Sequence, residues 1–328
     1  MHIIFLRGSV PPKNEHPEKL LYDSIEECED QWSQLFYYLT KKMESTAELL
    51  YFSSDKKRTF CVDESFIERW VPSFASFTPM RKPDLIVCRG GFEYYLDLVK
   101  RFPKAKKVYY GAGIRSYPLT SYKKYDLFLV DSKKQRKHIK SFGKRANLFI
   151  KPAATLFKPV DVPKEYDVCF MANASQSEIK RHKLLIQSFA GTNYKILNLG
   201  NMDKTFIRMA ENMGVDITWG GWSLRKDLPE QISKCRVGVC CSSNYDSCPR
   251  VIPEYLACGL PVVATDNMNF WHDKYITDES GMLIDKHGIL LAVQDALKKD
   301  YNTRKFYEEN ISMDIAVEYL KKLIEKIS

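Results

Sequence analysis

The stretch NYDSCPRVIPEYLACGLPVVATD, residues 244–266, decides the fold. It follows the apolar run VGVCC at 237–241. A loop therefore leaves a buried strand, a helix starts near Arg250 with Glu254 in its first turns, and Cys258-Gly259 ends that helix before the strand PVVAT. Gly259 is a natural terminator, because glycine enters the left-handed region without a Cβ penalty. Strand, loop, helix and strand in this order make the crossover unit of a parallel sheet. The loop and the helix N-terminus then lie at the carboxyl end of a strand, where backbone N–H groups and the helix dipole favour phosphate. A carboxylate one or two turns into the helix can take paired hydroxyls, as acidic residues do with ribose in dinucleotide folds.

Working outward, short apolar runs alternate with helical patterns over the whole chain. Towards the C-terminus the pattern predicts strands at 166–171, 194–199, 216–219, 261–265 and 282–284, with a helix around 179–190. Phe206, Met209, Ala210 and Met213 recur at the spacing of one buried helical stripe. Two helices are expected to close the chain, the second carrying Ile315, Tyr319, Leu320, Leu323 and Ile327 on one face. Towards the N-terminus, strands are expected at 2–6, 48–52, 84–88, 107–110 and 127–131, and helices at 24–43, 93–101 and 132–142, the last with Ser132 as N-cap. Between the halves KPAATLFKPVDVPKE (151–165) breaks the rhythm with prolines at 152, 159 and 163. The reading is α/β: two Rossmann-like doubly wound domains, 1–155 and 156–328, facing a ligand cleft, with the last helix packing back on the first domain.

A chain of 328 residues with 45% hydrophobic and 28% charged residues is long enough for two globular domains, which excludes fibrous and disordered classes. The net charge of +9 is uneven: residues 1–160 carry 29 basic and 18 acidic side chains, residues 161–328 carry 21 and 23. Residues 83–160 alone have 18 basic against 5 acidic, and 132–145 (SKKQRKHIKSFGKR) has seven Lys/Arg and no acid. Such a patch points to an anionic partner on the N-terminal side. The nine cysteines show no CxxC pair or zinc spacing and several lie in apolar runs, as expected of buried thiols in a reducing compartment. No run approaches the length of a membrane span or a secretory signal, so a cytoplasmic protein is expected, with peripheral contact at an anionic membrane face.

The 244–266 segment resembles the nucleotide-sugar signature of GT-B glycosyltransferases, in particular retaining family 4 (glycosyl transferases group 1). That signature has an acid, seven residues, a Glu, then an Ala-Cys-Gly-x-Pro-Val-Val run. Asp246 and Glu254 have the spacing, and residues 257–263 match the run. KPAATLFKPVD, KRHKLLIQSF and DITWGGW with LPEQISKCRVGVCCSS resemble further family segments, while the N-terminal half matches only in layout. The resemblance implies a glycosyltransferase, hexosyl or pentosyl, that moves sugar from a nucleotide-diphosphate sugar to a glycan or glycolipid acceptor. It implies retention, and neither a metal nor any other cofactor. By position, Asp246 would sit near the donor sugar and Glu254 would accept from the ribose hydroxyls. Lys180 would neutralise the departing diphosphate, assisted by Arg181 or Arg250. Ser247 lies in the donor loop, and the Arg7-Gly8-Ser9 loop would close on the diphosphate or acceptor, with Gly8 permitting close approach. The N-terminal domain would take the acceptor, which the basic excess predicts to be anionic.

Four departures from the family pattern stand out. Asp replaces Glu at 246, Ser247-Cys248-Pro249 replaces a glycine-rich triplet, Ala172-Asn173 replaces Gly-Arg, and Tyr110-Gly111-Ala112-Gly113 stands where many members have a His. They keep a second reading open, a GT-B-like nucleotide- or sugar-binding protein without transfer. A third, nucleic-acid binding, has only the electrostatic footprint and no motif.

Overall fold

In a computed structural model, which describes residues 1–7, 24–52, 58–90, 95–111 and 123–327, the chain forms two compact units: residues 1–150 with 313–328, and residues 151–312.

The first unit is built on β1 (His2–Arg7), β2 (Thr46–Phe52), β3 (Arg58–Asp63), β4 (Phe66–Val71), β5 (Leu85–Arg89), β6 (Lys106–Gly111), β7 (Leu127–Val130) and β8 (Ala146–Leu148). The sheet order is β3-β4-β2-β1-β5-β6-β7-β8, parallel throughout except for the β3–β4 hairpin. Ile3, Ile4, Phe5 and Leu6 of β1 are fully buried, as a central parallel strand covered on both faces requires. The β3–β4 hairpin is not among the expected strands. Its residues mix charges with apolar side chains, and in β4 only Phe66, Trp70 and Val71 are buried, so no clean run marks it.

The helix expected over 24–43 begins only at Gln31. Asp30 caps it, its side chain accepting from the Ser33 N–H at 3.0 Å. Ser132 caps Lys133–Lys140 in the same way, accepting from Gln135 N–H at 3.3 Å. Three helices close the chain rather than two: Ile289–Lys298, Thr303–Asn310 and Met313–Glu325. The last packs on Gln31–Lys42, and Tyr319 Oη donates to the Leu148 carbonyl at 2.9 Å. Among the described residues no helix is long and apolar enough to cross a membrane. All nine cysteines are free thiols, eight buried and Cys61 exposed.

The second unit carries β9 (Tyr166–Met171), β10 (Ile196–Leu199), β11 (Ile217–Gly221), β12 (Cys235–Cys240), β13 (Val262–Thr265) and β14 (Gly281–Ile284). They lie in the order β11-β10-β9-β12-β13-β14, all parallel. The chain winds outward from β9 in one direction and then from β12 in the other, so the order reverses between β9 and β12. Open sheets of this kind bind ligands beyond the carboxyl ends of the strands at that reversal.

The helix Val251–Ala257 follows β12 and is seated by Tyr255. Tyr255 Oη donates to the Cys169 carbonyl at 3.2 Å and accepts from the Met171 N–H at 2.7 Å, both on β9. Its ring occupies the space a side chain at Gly238 of β12 would need, since a Cβ there would lie 2.4 Å from the ring. The helix ends as its sequence requires. Gly259 has φ +80°, its N–H bonds to Leu256 O at 3.1 Å, and Leu260 N–H reaches back to Tyr255 O at 3.0 Å, the paired bonds of a Schellman terminus. Gly238→Ala should therefore lower stability by about 1–3 kcal/mol through overpacking. A thermal melt no different from wild type would show that the ring can retreat.

Candidate functional site

The carboxyl ends of β9 and β12 each lead into a segment bearing an expected site residue. After β9 a one-turn helix, Ser177–Lys180, presents Lys180; after β12 the loop 241–250 presents Asp246. The two segments are tied together. Ser243 N–H bonds to Ile179 O at 2.7 Å, Cys241 Sγ lies 3.4 Å from Lys180 O, and Lys180 Nζ donates to Asp246 Oδ2 at 2.5 Å. The ion pair is largely buried, with side-chain exposures of 18% and 15%. It takes one of the three ammonium donors and leaves two for a ligand.

Arg181 comes next, and here the structure corrects the single helix expected over 179–190. Arg181 adopts φ 57°, ψ 49°, a left-handed conformation that side-chain-bearing residues rarely take. It ends Ser177–Lys180 and starts a second helix, His182–Ser188. Glycine takes such a turn freely, whereas this chain holds it with a strained arginine. Its Nη1 is buried without a hydrogen-bond partner among the described residues. A strained backbone and a buried guanidinium N–H without a partner among the described residues make Arg181, next in the chain to Lys180, a candidate for a role beyond packing.

Glu254 stands in the first turns of Val251–Ala257 and is 3% exposed. Its Oε1 accepts from Arg225 Nη2 at 2.9 Å, while Oε2 makes no hydrogen bond among the described residues. Arg225 opens a short turn, Arg225–Asp227, and lies over the Phe157 ring at 5.1 Å. Arg304 Nη1 donates to the carbonyls of Ala257 and Phe157, at 2.6 and 3.3 Å, fixing the far end of the Glu254 helix. Neither arginine was expected from the sequence. Each acts across elements, and no local spacing announces it.

Ser247 and Cys248 are buried, and the Cys248 carbonyl accepts from Lys151 Nζ at 2.7 Å, so the loop in place of the glycine-rich triplet is anchored from behind. Arg250 is exposed at the N-cap position of Val251–Ala257 and has no ion-pair partner among the described residues. Lys180 and Asp246 are thus brought together directly, Arg181 follows Lys180 in the chain, and Glu254 forms a second ion pair with Arg225. Gly8, with Ser9, Ala112 and Gly113, lies outside the described residues.

His182 follows Arg181 into the core, 2% exposed, ring-stacked on Phe206 and edge-on to Phe170. Burial first, and the Lys180 charge to a lesser degree, hold its pKa below the ordinary 6.5 against the pull of the Ala172 carbonyl.

Residues 153–313 match the family described as glycosyl transferases group 1. No curated protein matches the chain in sequence. Among solved structures the chain is similar to the lipopolysaccharide outer core galactosyltransferase WaaB in its apo form, with a TM-score of 0.70 at 14% identity over 99% of both chains. A sucrose-phosphate synthase from Thermosynechococcus elongatus gives 0.70 at 13% identity over 99% of this chain and 98% of that one. Anabaena HepE, solved in complex with UDP and glucose, gives 0.67 at 12% over 99% and 100%. At these identities the likeness is one of fold, and the fold is GT-B, with two Rossmann-like domains.

Two outcomes follow from the strained turn and the buried ring. Arg181→Gly should raise stability by about 1 kcal/mol by relieving the left-handed arginine; a lower melting temperature would mean that the guanidinium, not the backbone, dominates the site's stability. The depressed pKa of His182 contributes stability that is complete above the unfolded value of 6.5 and is lost as pH falls towards the folded value. His182→Phe should flatten the fall in melting temperature just below pH 6.5, and an unchanged slope would remove His182 from that account.

Proposed function

We propose, for a chain whose residues 153–313 belong to the glycosyl transferases group 1 family, that it moves a hexosyl or pentosyl group from a nucleotide-diphosphate sugar to a glycan or glycolipid acceptor. Retention at the sugar carbon and independence of metal are part of the proposal. The observation that carries it is Glu254: a buried carboxylate with one oxygen held by Arg225 and the other without a partner among the described residues, on the helix that follows the strand reversal.

A carboxylate so placed accepts a ribose hydroxyl on Oε2 while Arg225 fixes its orientation. The two remaining Lys180 donors and the unsatisfied Arg181 Nη1 supply positive charge for the diphosphate. In transfer, the bond from the sugar carbon to the phosphate oxygen breaks, a bond to the acceptor hydroxyl oxygen forms, the hydroxyl proton passes to the departing phosphate oxygen, and the nucleoside diphosphate leaves as an anion. Charge grows on that leaving group in the transition state, so cations already in place lower the barrier without a metal. Asp246 orients Lys180 and faces the donor sugar. That Anabaena HepE was solved with UDP and glucose supports a nucleotide-sugar donor here.

On the acceptor side, the helix Lys133–Lys140 turns Ile139 inward and exposes Lys133, Lys134, Lys137 and Lys140, with Phe142 41% exposed just beyond. An anionic acceptor, or an anionic membrane surface carrying it, suits that face. The anchored loop at Ser247-Cys248-Pro249 favours one other reading, donor binding without transfer.

Calorimetry with UDP-, GDP-, ADP- and CMP-sugars, followed by transfer assays in excess chelator, separates these readings. We expect saturable binding of one nucleotide class, transfer unaffected by chelator, and sedimentation with anionic vesicles that fades as salt is raised. Glu254→Gln should weaken donor binding by about 1–3 kcal/mol. Binding of none of the four would end the proposal, and binding without release or transfer of sugar would favour the second reading.

A further inference from the structure

The first unit has a strand reversal of its own. β1 lies between β2 and β5, and the chain winds outward from it in both directions, so Arg7 at the end of β1 and Arg89 at the end of β5 flank the reversal. The last rung of the sheet sets Tyr51, Arg7, Arg89 and Tyr110 side by side on β2, β1, β5 and β6. Register partners in parallel strands share a face, so two guanidinium groups leave the same face at the position where open α/β sheets take ligands.

Among the described residues only one carboxylate serves them. Asp30 Oδ2 accepts from Arg7 Nη1, and the same oxygen accepts from Ser33 N–H at 3.0 Å and Ser33 Oγ at 3.1 Å. Arg89 pairs with no carboxylate among the described residues. Its guanidinium lies over the Trp32 ring at 4.5 Å, and its Nε is buried without an acceptor, as is that of Arg7. Arg7 is 8% exposed, whereas Arg89 is half-buried and still reachable. Burial and the neighbouring Arg7 charge push the Arg89 pKa down, with Asp30 only partly offsetting them. A stacked ring attracts the cation but takes none of its five N–H donors. An unpaired, half-buried cation beside a second one is a costly arrangement for a purely structural role. It is well matched to a planar pair of oxygens held bidentately.

We propose that Arg89, backed by Arg7, binds an oxyanion, a phosphoryl or carboxylate group, at the carboxyl ends of β1 and β5. Trp32 holds the guanidinium plane in place, and Asp30 holds Arg7 and offsets part of the repulsion between the two arginines. The site stands without the transfer reading; where that reading holds, the bound oxyanion belongs to the acceptor.

The test is a titration of the full chain with inorganic phosphate, glycerol phosphate and glucuronate at constant ionic strength. Calorimetry and indole fluorescence serve as readouts, with Trp32→Phe identifying the responding ring. Saturable binding is expected in the wild type, weakened by about tenfold or more in Arg89→Gln, while UDP affinity stays within about twofold. Arg89→Lys should recover only part of the loss, because an ammonium cannot make the bidentate contact. Glycerol phosphate binding more tightly than inorganic phosphate would assign the site to a phosphomonoester of a larger molecule, and equal affinities to the free ion. Unchanged oxyanion affinity in Arg89→Gln, or affinity lost instead in Lys180→Ala, overturns the proposal. So does a wild type that binds no oxyanion while Arg89→Gln melts lower, because the cation then serves only the Trp32 contact. Loss of nucleotide-sugar binding with oxyanion binding intact would defeat the transfer reading and leave this one standing.

Discussion

The contact between the Tyr255 ring and the bare Cα of Gly238 is the constraint on which the second unit's site depends. A strand buried on both faces has no room for a phenol unless one residue gives up its side chain, and Gly238 does so in the middle of β12. Once seated, Tyr255 uses its hydroxyl on the backbone of β9, the other strand at the reversal. One side chain therefore holds a helix against both strands between which the order turns. Glu254 is the residue before Tyr255, so its position follows from that seat. The Schellman terminus at Gly259 and the Arg304 bond to Ala257 hold the opposite end, and the carboxylate has little freedom to follow a badly placed partner.

In the same unit, Lys180 and Arg181 are held by means that cost stability. Lys180 is turned towards Asp246 by a break in the helix, and the break is carried by an arginine in a conformation that suits glycine. A glycine would make the same turn without strain but would bring no charge. The chain also lacks the arginine that its family resemblance would place at 173, where Asn173 stands. Under the proposed function, Arg181, whose Nη1 is buried without a partner among the described residues, would bring the missing charge from a later turn after the same strand. Glu254 is likewise held by Arg225 from a different segment. Each acidic group of the site is matched by a cation, and additional N–H donors remain for an anion.

These parts differed in how far the sequence disclosed them. The stretch 244–266 was readable because every feature in it obeys a local rule: an apolar strand, a glycine after a helix, and an acid eight residues before a Glu. The inner strands β9, β10, β12 and β13 were equally plain, since strands covered on both faces read as apolar runs. The β3–β4 hairpin escaped because an edge strand need not be apolar. Arg225 escaped because it meets Glu254 across 29 residues, from a turn whose sequence RKD looks like solvated surface. Nothing in KRHK tells a left-handed Arg181 from another helical residue; only packing reveals it. The Arg7–Arg89 row was hidden for a similar reason, since it exists only once the register of β1 against β5 is known.

That row changes what the uneven charge of the chain means. Lysines on the exposed face of Lys133–Lys140 act through water, where an interaction falls off within a Debye length and each ammonium is replaceable by its neighbour. Such charges draw an anion towards a surface and raise its rate of encounter, but they do not choose its orientation. Arg89 differs in kind. It is half-buried, its plane is fixed on Trp32, and the nearest carboxylate is already committed to Arg7. Under the proposed oxyanion site, the surface lysines would govern how quickly and at what salt concentration an anionic partner arrives, while the paired arginines at the strand ends would govern where its charged group comes to rest. Raising the salt should thus erode the first contribution well before the second, because only the second is shielded from solvent.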